Sequence, residues 1–171
     1  PPHNIDELIK GAIYRINHPN CSLDKMMEII PGPDFPTGAI IQDDGNLKTA
    51  YKTGKAKIVI KSKTEIVETE KCNQLVVTEI PYTVVKSNLV RKMSEVYVAK
   101  NIDGILDIRD ESDRHGLRIV VDIKKDVNAE IIRDFFFKST ELQVNYSFNM
   151  VAINNKRPQL MGLLDLLDSY I

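Results

Sequence analysis

The sequence predicts an α+β fold, a mixed or antiparallel sheet with flanking helices. Three observations lead there. Apolar residues recur at helical spacing through residues 5–30, and from Ala39 onward several short runs alternate with a period of two. These runs interleave with further helical stretches, but without the regular rhythm of βαβ units.

Asn4 followed by Glu7 is a capping box, and Ile5, Leu8, Ile9, Ala12, Ile13 and Ile16 continue at helical spacing until Pro19 closes the helix. Ser22 caps a second, shorter helix with Leu23, Met26, Met27 and Ile30 on one side. The segment Pro31-Gly32-Pro33-Asp34-Phe35-Pro36-Thr37-Gly38 ends it. Its prolines fix φ at about −65° and remove backbone donors, while the residue before each proline is pushed into an extended conformation. It reads as a stiff connector with Phe35 as its anchor.

Residues 57–67 read as a half-buried strand, with Ile58 and Ile60 alternating against Lys57, Val59 and Lys61. Residues 75–80 form a second strand, stopped by Pro81. Ser87 caps a helix whose buried stripe is Leu89, Val90, Met93, Val96 and Tyr97. Residues 102–108 and 117–123 are strands joined by a highly charged turn. Asn128 begins a helix with Ile131, Ile132, Phe135 and Phe136 inward. Residues 142–153 alternate again, Asn154-Asn155 turns, and residues 163–171 begin a further helix.

A chain of 171 residues can form one ordinary domain or a small pair. Its 43% hydrophobic and 27% charged content is that of a globular protein. No apolar run approaches the roughly 20 residues that span a bilayer. Without a signal-peptide pattern, a cytosolic protein is expected, with Cys21 and Cys72 as reduced thiols. The start on Pro1-Pro2 without Met, and the stop inside an apolar helical pattern, read as an excised piece of a longer chain.

Net charge is only −1, but its distribution is uneven. Between Asn46 and Lys63 stand Lys48, Lys52, Lys55, Lys57, Lys61 and Lys63, with no acid among them. Period-two alternation places Lys57, Lys61 and Lys63 on one strand face, opposite Ile58 and Ile60. A row of cations at that spacing can follow a phosphate backbone, giving affinity without reading sequence. It can equally be a solvated outward face that discourages edge pairing.

Asp107, Asp110, Glu111 and Asp113 alternate with Arg109, Arg114 and Arg118 around His115-Gly116. The arginines neutralise the acids and repel a cation, so this is a hairpin turn held by ion pairs rather than a metal site. Gly116 supplies a permissive φ.

Several of these motifs resemble one family. Pro1-Pro2-His3-Asn4, the proline segment, Tyr51-Lys52-Thr53-Gly54-Lys55-Ala56, Thr78-Glu79-Ile80-Pro81-Tyr82, residues 109–114, residues 145–153 and Arg157-Pro158 resemble the A subunit of bacterial type IIA DNA topoisomerases, gyrase A and topoisomerase IV A. Tyr146-Ser147-Phe148 stands where gyrase A usually shows Phe-Gly, which tilts the likeness toward topoisomerase IV of Gram-positive type. Ala56 replaces a usual glycine, Val85 a usual asparagine, and Asp43-Asp44 shifts a loop's glycine pattern.

The resemblance implies a tower domain over residues 31–160. It is preceded by a helical connector from an upstream winged-helix domain (1–30) and followed by the start of a long coiled-coil helix (161–171). It implies double-stranded DNA as ligand, gripped by Lys52, Lys55, Lys57, Lys61 and Lys63, and ATP-dependent strand passage by the full-length enzyme. The implied partners are the B subunit, which uses the magnesium and ATP, and a second A subunit in an A2B2 assembly near the nucleoid. No membrane is implied.

In that family a tyrosine preceded by arginine forms the covalent link to DNA. Tyr14, Tyr51, Tyr82, Tyr97, Tyr146 and Tyr170 all lack that arginine. No residue of this chain is therefore assigned as catalytic or as a metal ligand, and no cofactor is expected in it. Glycine-rich phosphate loops, nucleophile elbows and paired histidines at ligand spacing are also missing. Three readings remain: a DNA-supporting part of the A subunit of a topoisomerase, a protein-interaction scaffold, and a self-sufficient enzyme. The apolar stripe of residues 163–171 is expected to be partly orphaned and to cause weak self-association.

Overall fold

The computed structural model describes residues 1–42, 45–100 and 102–171. Asp43 and Asp44, with the loop departure noted above, lie outside the described residues. Helices α1 (Ile5–Asn17) and α2 (Leu23–Ile29) are followed by β1 (Ile40–Gln42), α3 (Asn46–Thr53), β2 (Lys55–Lys61), β3 (Lys63–Glu68) and β4 (Asn73–Glu79). Then come α4 (Lys86–Lys100), β5 (Ile105–Asp110), β6 (Ile119–Ile123) and α5 (Ala129–Ser139). Strands β7 (Gln143–Asn149), β8 (Val151–Asn154) and β9 (Arg157–Leu160) precede α6 (Leu163–Tyr170). The strands form sheets ordered β1-β2-β7, β3-β4-β6-β5 and β8-β9. The α+β expectation holds.

The chain divides into two compact units. The first comprises Pro1–Pro36, Gln42–Val59 and Asn145–Ile171; the second comprises Thr37–Ile41 and Ile60–Val144.

In the first unit, the predicted caps are in place. Asn4 Oδ1 accepts from Glu7 N at 3.2 Å, and Ser22 Oγ accepts from Lys25 N at 3.2 Å. Met26 and Ile30 of the second helical segment are fully buried, and Phe35 is buried with its ring edge-on to Tyr146 at 5.3 Å. The α1 isoleucines behave differently: Ile5, Ile9, Ile13 and Ile16 are exposed. The apolar stripe of α6 finds cover within this unit, since Leu163 and Leu167 are buried while Tyr170 and Ile171 stay outside. A bidentate pair fixes α6 to α1, with Arg15 Nε 2.7 Å and Nη2 2.9 Å from the Asp168 carboxylate.

The second unit is an antiparallel four-stranded sheet covered by α4 and α5. Leu75, Val77, Ile119, Val121, Leu89, Met93, Ile132 and Phe136 form its core. Each such side chain contributes about 1.5–3 kcal/mol on burial. Two expectations need correction. Helix α4 begins at Lys86, so Ser87 lies inside its first turn and is not the cap. Ile131 faces solvent; one residue on, Ile132 takes the inward position, because a helix turns about 100° per residue.

The β5–β6 turn is held by ion pairs, as its sequence suggests. Arg109 contacts Glu111 at 2.8 Å, Asp107 at 3.4 Å and, most closely, Asp122; Lys86 meets Asp110 at 3.0 Å. Gly116, at φ +149°, exchanges backbone hydrogen bonds with Asp113. Burial alone would raise the Asp122 carboxyl, but hydrogen bonds from Arg109 and Gln74 outweigh it and hold the group below its ordinary 3.8. A carboxyl depressed on folding stabilises fully above its unfolded value and loses that contribution as pH falls through the folded one. Asp122→Asn is therefore expected to lower the Tm at pH 7 and to flatten the stability loss seen below about pH 4. Thermal melts from pH 7 to 3 check this; an unaltered profile refutes it.

Candidate nucleic-acid interface

The site begins with a helix that period-two reading passes over. Leu47, Ala50 and Tyr51 recur at helical spacing and are buried, which forms α3. Tyr51 is 1% exposed, and its hydroxyl lies 2.7 Å from His3 Nε2. His3 Nδ1 sits 3.0 Å from the Pro1 carbonyl, an acceptor only, so Nδ1 carries the proton and Nε2 accepts from Tyr51. Burial lowers the His3 pKa below 6.5 and raises that of the Tyr51 phenol, keeping both rings neutral. Phe148 completes the cluster, edge-on to Tyr51 at 5.6 Å. Because Tyr51 points inward, the next residue, Lys52, is exposed.

Gly54 ends α3 in the left-handed region at φ +85°, with its N–H donating to Ala50 O at 2.7 Å. Its carbonyl accepts from Met150 N at 2.7 Å. A Cβ at this position would lie 2.4 Å from the Met161 carbonyl oxygen, so only glycine fits. From this corner β2 starts: Lys55 and Lys57 are exposed, and Ile58 and Ile60 are buried.

The expected continuous strand over residues 57–67 is two strands in two sheets. Ser62 is buried, donates its N–H to Leu142 O at 2.8 Å and leaves its Oγ without a partner; β3 then opens with a register shift at Lys63/Thr64. Lys63 thus leaves the face on which alternation placed it. Within the first unit, Lys55 and Lys57 of β2 are both exposed. Lys52, Lys55 and Lys57 belong to the first unit, Lys61 and Lys63 to the second. The Lys61 ammonium lies 5.6 Å from the centroid of the Phe137 ring. Lys48, also in the basic run, is paired with Asp24 at 2.7 Å. Among the described residues, Lys52, Lys55, Lys57, Lys61 and Lys63 take part in no ion pair.

Of the tyrosines, Tyr51 is buried, Tyr14 stacks on His18 at 4.2 Å, and Tyr97 donates to Ile105 O at 3.2 Å. Cys21 and Cys72 are unbridged. Among the described residues no three His, Cys, Asp or Glu side chains converge as a metal site, and no helix is long and apolar enough to cross a membrane.

The geometry defines an α+β module in which the glycine-fixed corner presents exposed lysines that, among the described residues, take part in no ion pair. The family model for the A subunit of DNA gyrase/topoisomerase IV matches residues 1–171, and the chain belongs to that family. It is 52% identical over 172 residues to the A subunit of DNA topoisomerase 4 from Streptococcus pneumoniae and 52% over 173 residues to that of Bacillus subtilis, each match covering 100% of this chain. The corresponding protein of Staphylococcus epidermidis is 48% identical over 172 residues. The chain spans about a fifth of the length of these relatives, 21–22%.

Gly54→Ala is expected to cost about 2 kcal/mol or more, from left-handed strain and the clash with the Met161 carbonyl. Denaturant unfolding at fixed pH measures it, and a change under about 0.5 kcal/mol refutes it. Tyr51→Phe is expected to cost about 1 kcal/mol. With His3 depressed on folding, its contribution is complete above pH 6.5 and lost as pH falls below that value. Melts between pH 7.5 and 5 read this directly, and His3→Gln should weaken the dependence.

Proposed function

We propose that this chain is the duplex-supporting part of the breakage-reunion subunit of a type IIA topoisomerase, of topoisomerase IV kind. In this reading Lys52, Lys55 and Lys57, with Lys61 and Lys63, meet DNA phosphates and hold the flank of the cleaved duplex. Bending a duplex costs several kcal/mol, on the order of 1–6, and cationic flanks offset that. The observation that carries the reading is the exposed Lys52, Lys55 and Lys57 beside the Gly54 corner, without acidic partners among the described residues, in a member of this family.

The remaining roles are proposed on the same footing. The full-length protein works as an isomerase by ATP-dependent strand passage, decatenating and relaxing DNA during chromosome segregation in the cytoplasm, at the nucleoid. It assembles as A2B2, and the B subunit uses the magnesium and ATP. The present segment positions DNA and does not cut it, because none of its six tyrosines follows an arginine as the family's nucleophile does; isolated, it is expected to be inactive.

The test is Lys55→Glu with Lys57→Glu in the full-length subunit. Duplex binding by fluorescence anisotropy is expected to weaken, and the slope of log K against log salt to shrink by about two units. Unchanged affinity and slope would favour a protein-interaction scaffold instead.

A further inference from the structure

Helix α1 has two faces of different kinds. Its inner face is committed: Gly11 is buried against Met26 and Ile30, where a Cβ would lie 2.6 Å from Ile30 Cδ1, and Arg15 is held by Asp168 of α6. The helix therefore cannot turn on its axis to hide what lies outside. What lies outside is apolar: Ile5 is 71%, Ile9 53%, Ile13 54% and Ile16 58% exposed. At 100° per residue the four fall within an arc of about 80°, and at 1.5 Å per residue they make a ridge about 16 Å long.

Asp6, Lys10 and Asn17, also exposed, edge this ridge with polar groups. On that side Ile13 borders a groove between α1 and α2, lined further by Tyr14, Asn17, Glu28 and Ile29. Isoleucine is not among the strong helix formers, so a solvated helix face has no use for four of them. Apolar residues exposed singly are ordinary, but a contiguous ridge with a polar rim is the anatomy of an interface.

We infer that the α1 ridge is the seat of a helix from another part of the same full-length A subunit. A ridge beside a groove is the shape that helix-on-helix packing requires. Size selects a tethered occupant. Four isoleucine side chains supply only about half of the roughly 800 Å² per partner that a stable association of two chains buries. A segment already joined through the chain loses little further freedom on docking, so a small apolar contact suffices. The chain spans 21% of the Streptococcus pneumoniae relative, so most of such a subunit lies outside these residues and can provide that segment. Such docking does not depend on DNA binding.

The full-length A subunit, purified alone, carries the test. Ile9→Cys and Ile13→Cys are labelled with N-ethylmaleimide and read by peptide mass spectrometry. Each is expected to react at least about ten-fold more slowly than Lys71→Cys, which lies in an exposed bend. Equal rates overturn the inference. Ile9→Glu with Ile13→Glu is expected to lower the Tm of the full-length subunit and to leave its sedimentation unchanged. Both side chains point outward, so an unaltered Tm means that nothing covers them, and this too overturns it. Protection that fades on dilution, with a shift in sedimentation on the double substitution, puts a second copy on the ridge and overturns the tethered occupant.

Discussion

The hydrogen bond between His3 and Tyr51, with the Gly54 corner beside it, is the constraint on which the placement of the nearby cations depends. It joins segments 48 residues apart in the chain. With the Tyr51 ring locked inward against Phe148, helical geometry turns Lys52 to solvent. Gly54 then ends the helix where backbone from Met150 and Met161 approaches closely. Burial of Ile58 sets the phase of the strand that follows, which aims Lys55 and Lys57 outward. The outward charges are thus consequences of inward packing. The proline segment serves the same arrangement, since Asp34 N donates to Pro2 O at 2.9 Å and Phe35 packs on Tyr146.

Ser62 marks where the chain passes from one sheet to another. A strand that kept its pairing would have continued the lysine row to Lys63. Instead the Ser62 N–H is committed to Leu142, and β3 pairs with β4 in a sheet whose core is Leu75, Val77, Ile119 and Val121. The two compact units part a little earlier, between Val59 and Ile60, so Lys57 and Lys61 belong to different units although both lie on β2.

What was legible in the sequence was local. The caps at Asn4, Ser22 and Asn128 are all present, because a cap needs only a side-chain oxygen and a nearby N–H. The proline segment and the ion-paired turn are local too, and both hold. Helix α3 was hidden by its short length and by the lysines on its outer side, although Leu47, Ala50 and Tyr51 have the spacing and Gly54 the stop. Strand β9 was hidden because all four of its residues are exposed, which leaves no alternation to read. The break at Ser62 depends on Leu142, which is distant in sequence, so no window around the lysines contains it. For the candidate site, residue types and outward facing at Lys55 and Lys57 were legible; the tertiary clasp that fixes them was not.

The two kinds of cation are used differently. Arg15 and Arg109 are tied to Asp168 and Asp122, where a planar fork meets a carboxylate and holds elements together. The cations of the run between Asn46 and Lys63 are all lysines, and among the described residues most of them have no ion-pair partner. A lysine is a point charge on a flexible stem, and fixing it costs up to about 2 kcal/mol of rotamer freedom. Counterion release from DNA rewards proximity to phosphate rather than one fixed geometry, so a mobile ammonium loses little of it. In the role proposed above, a fixed backbone carrying lysines on flexible stems would follow a duplex as it bends without reading its bases.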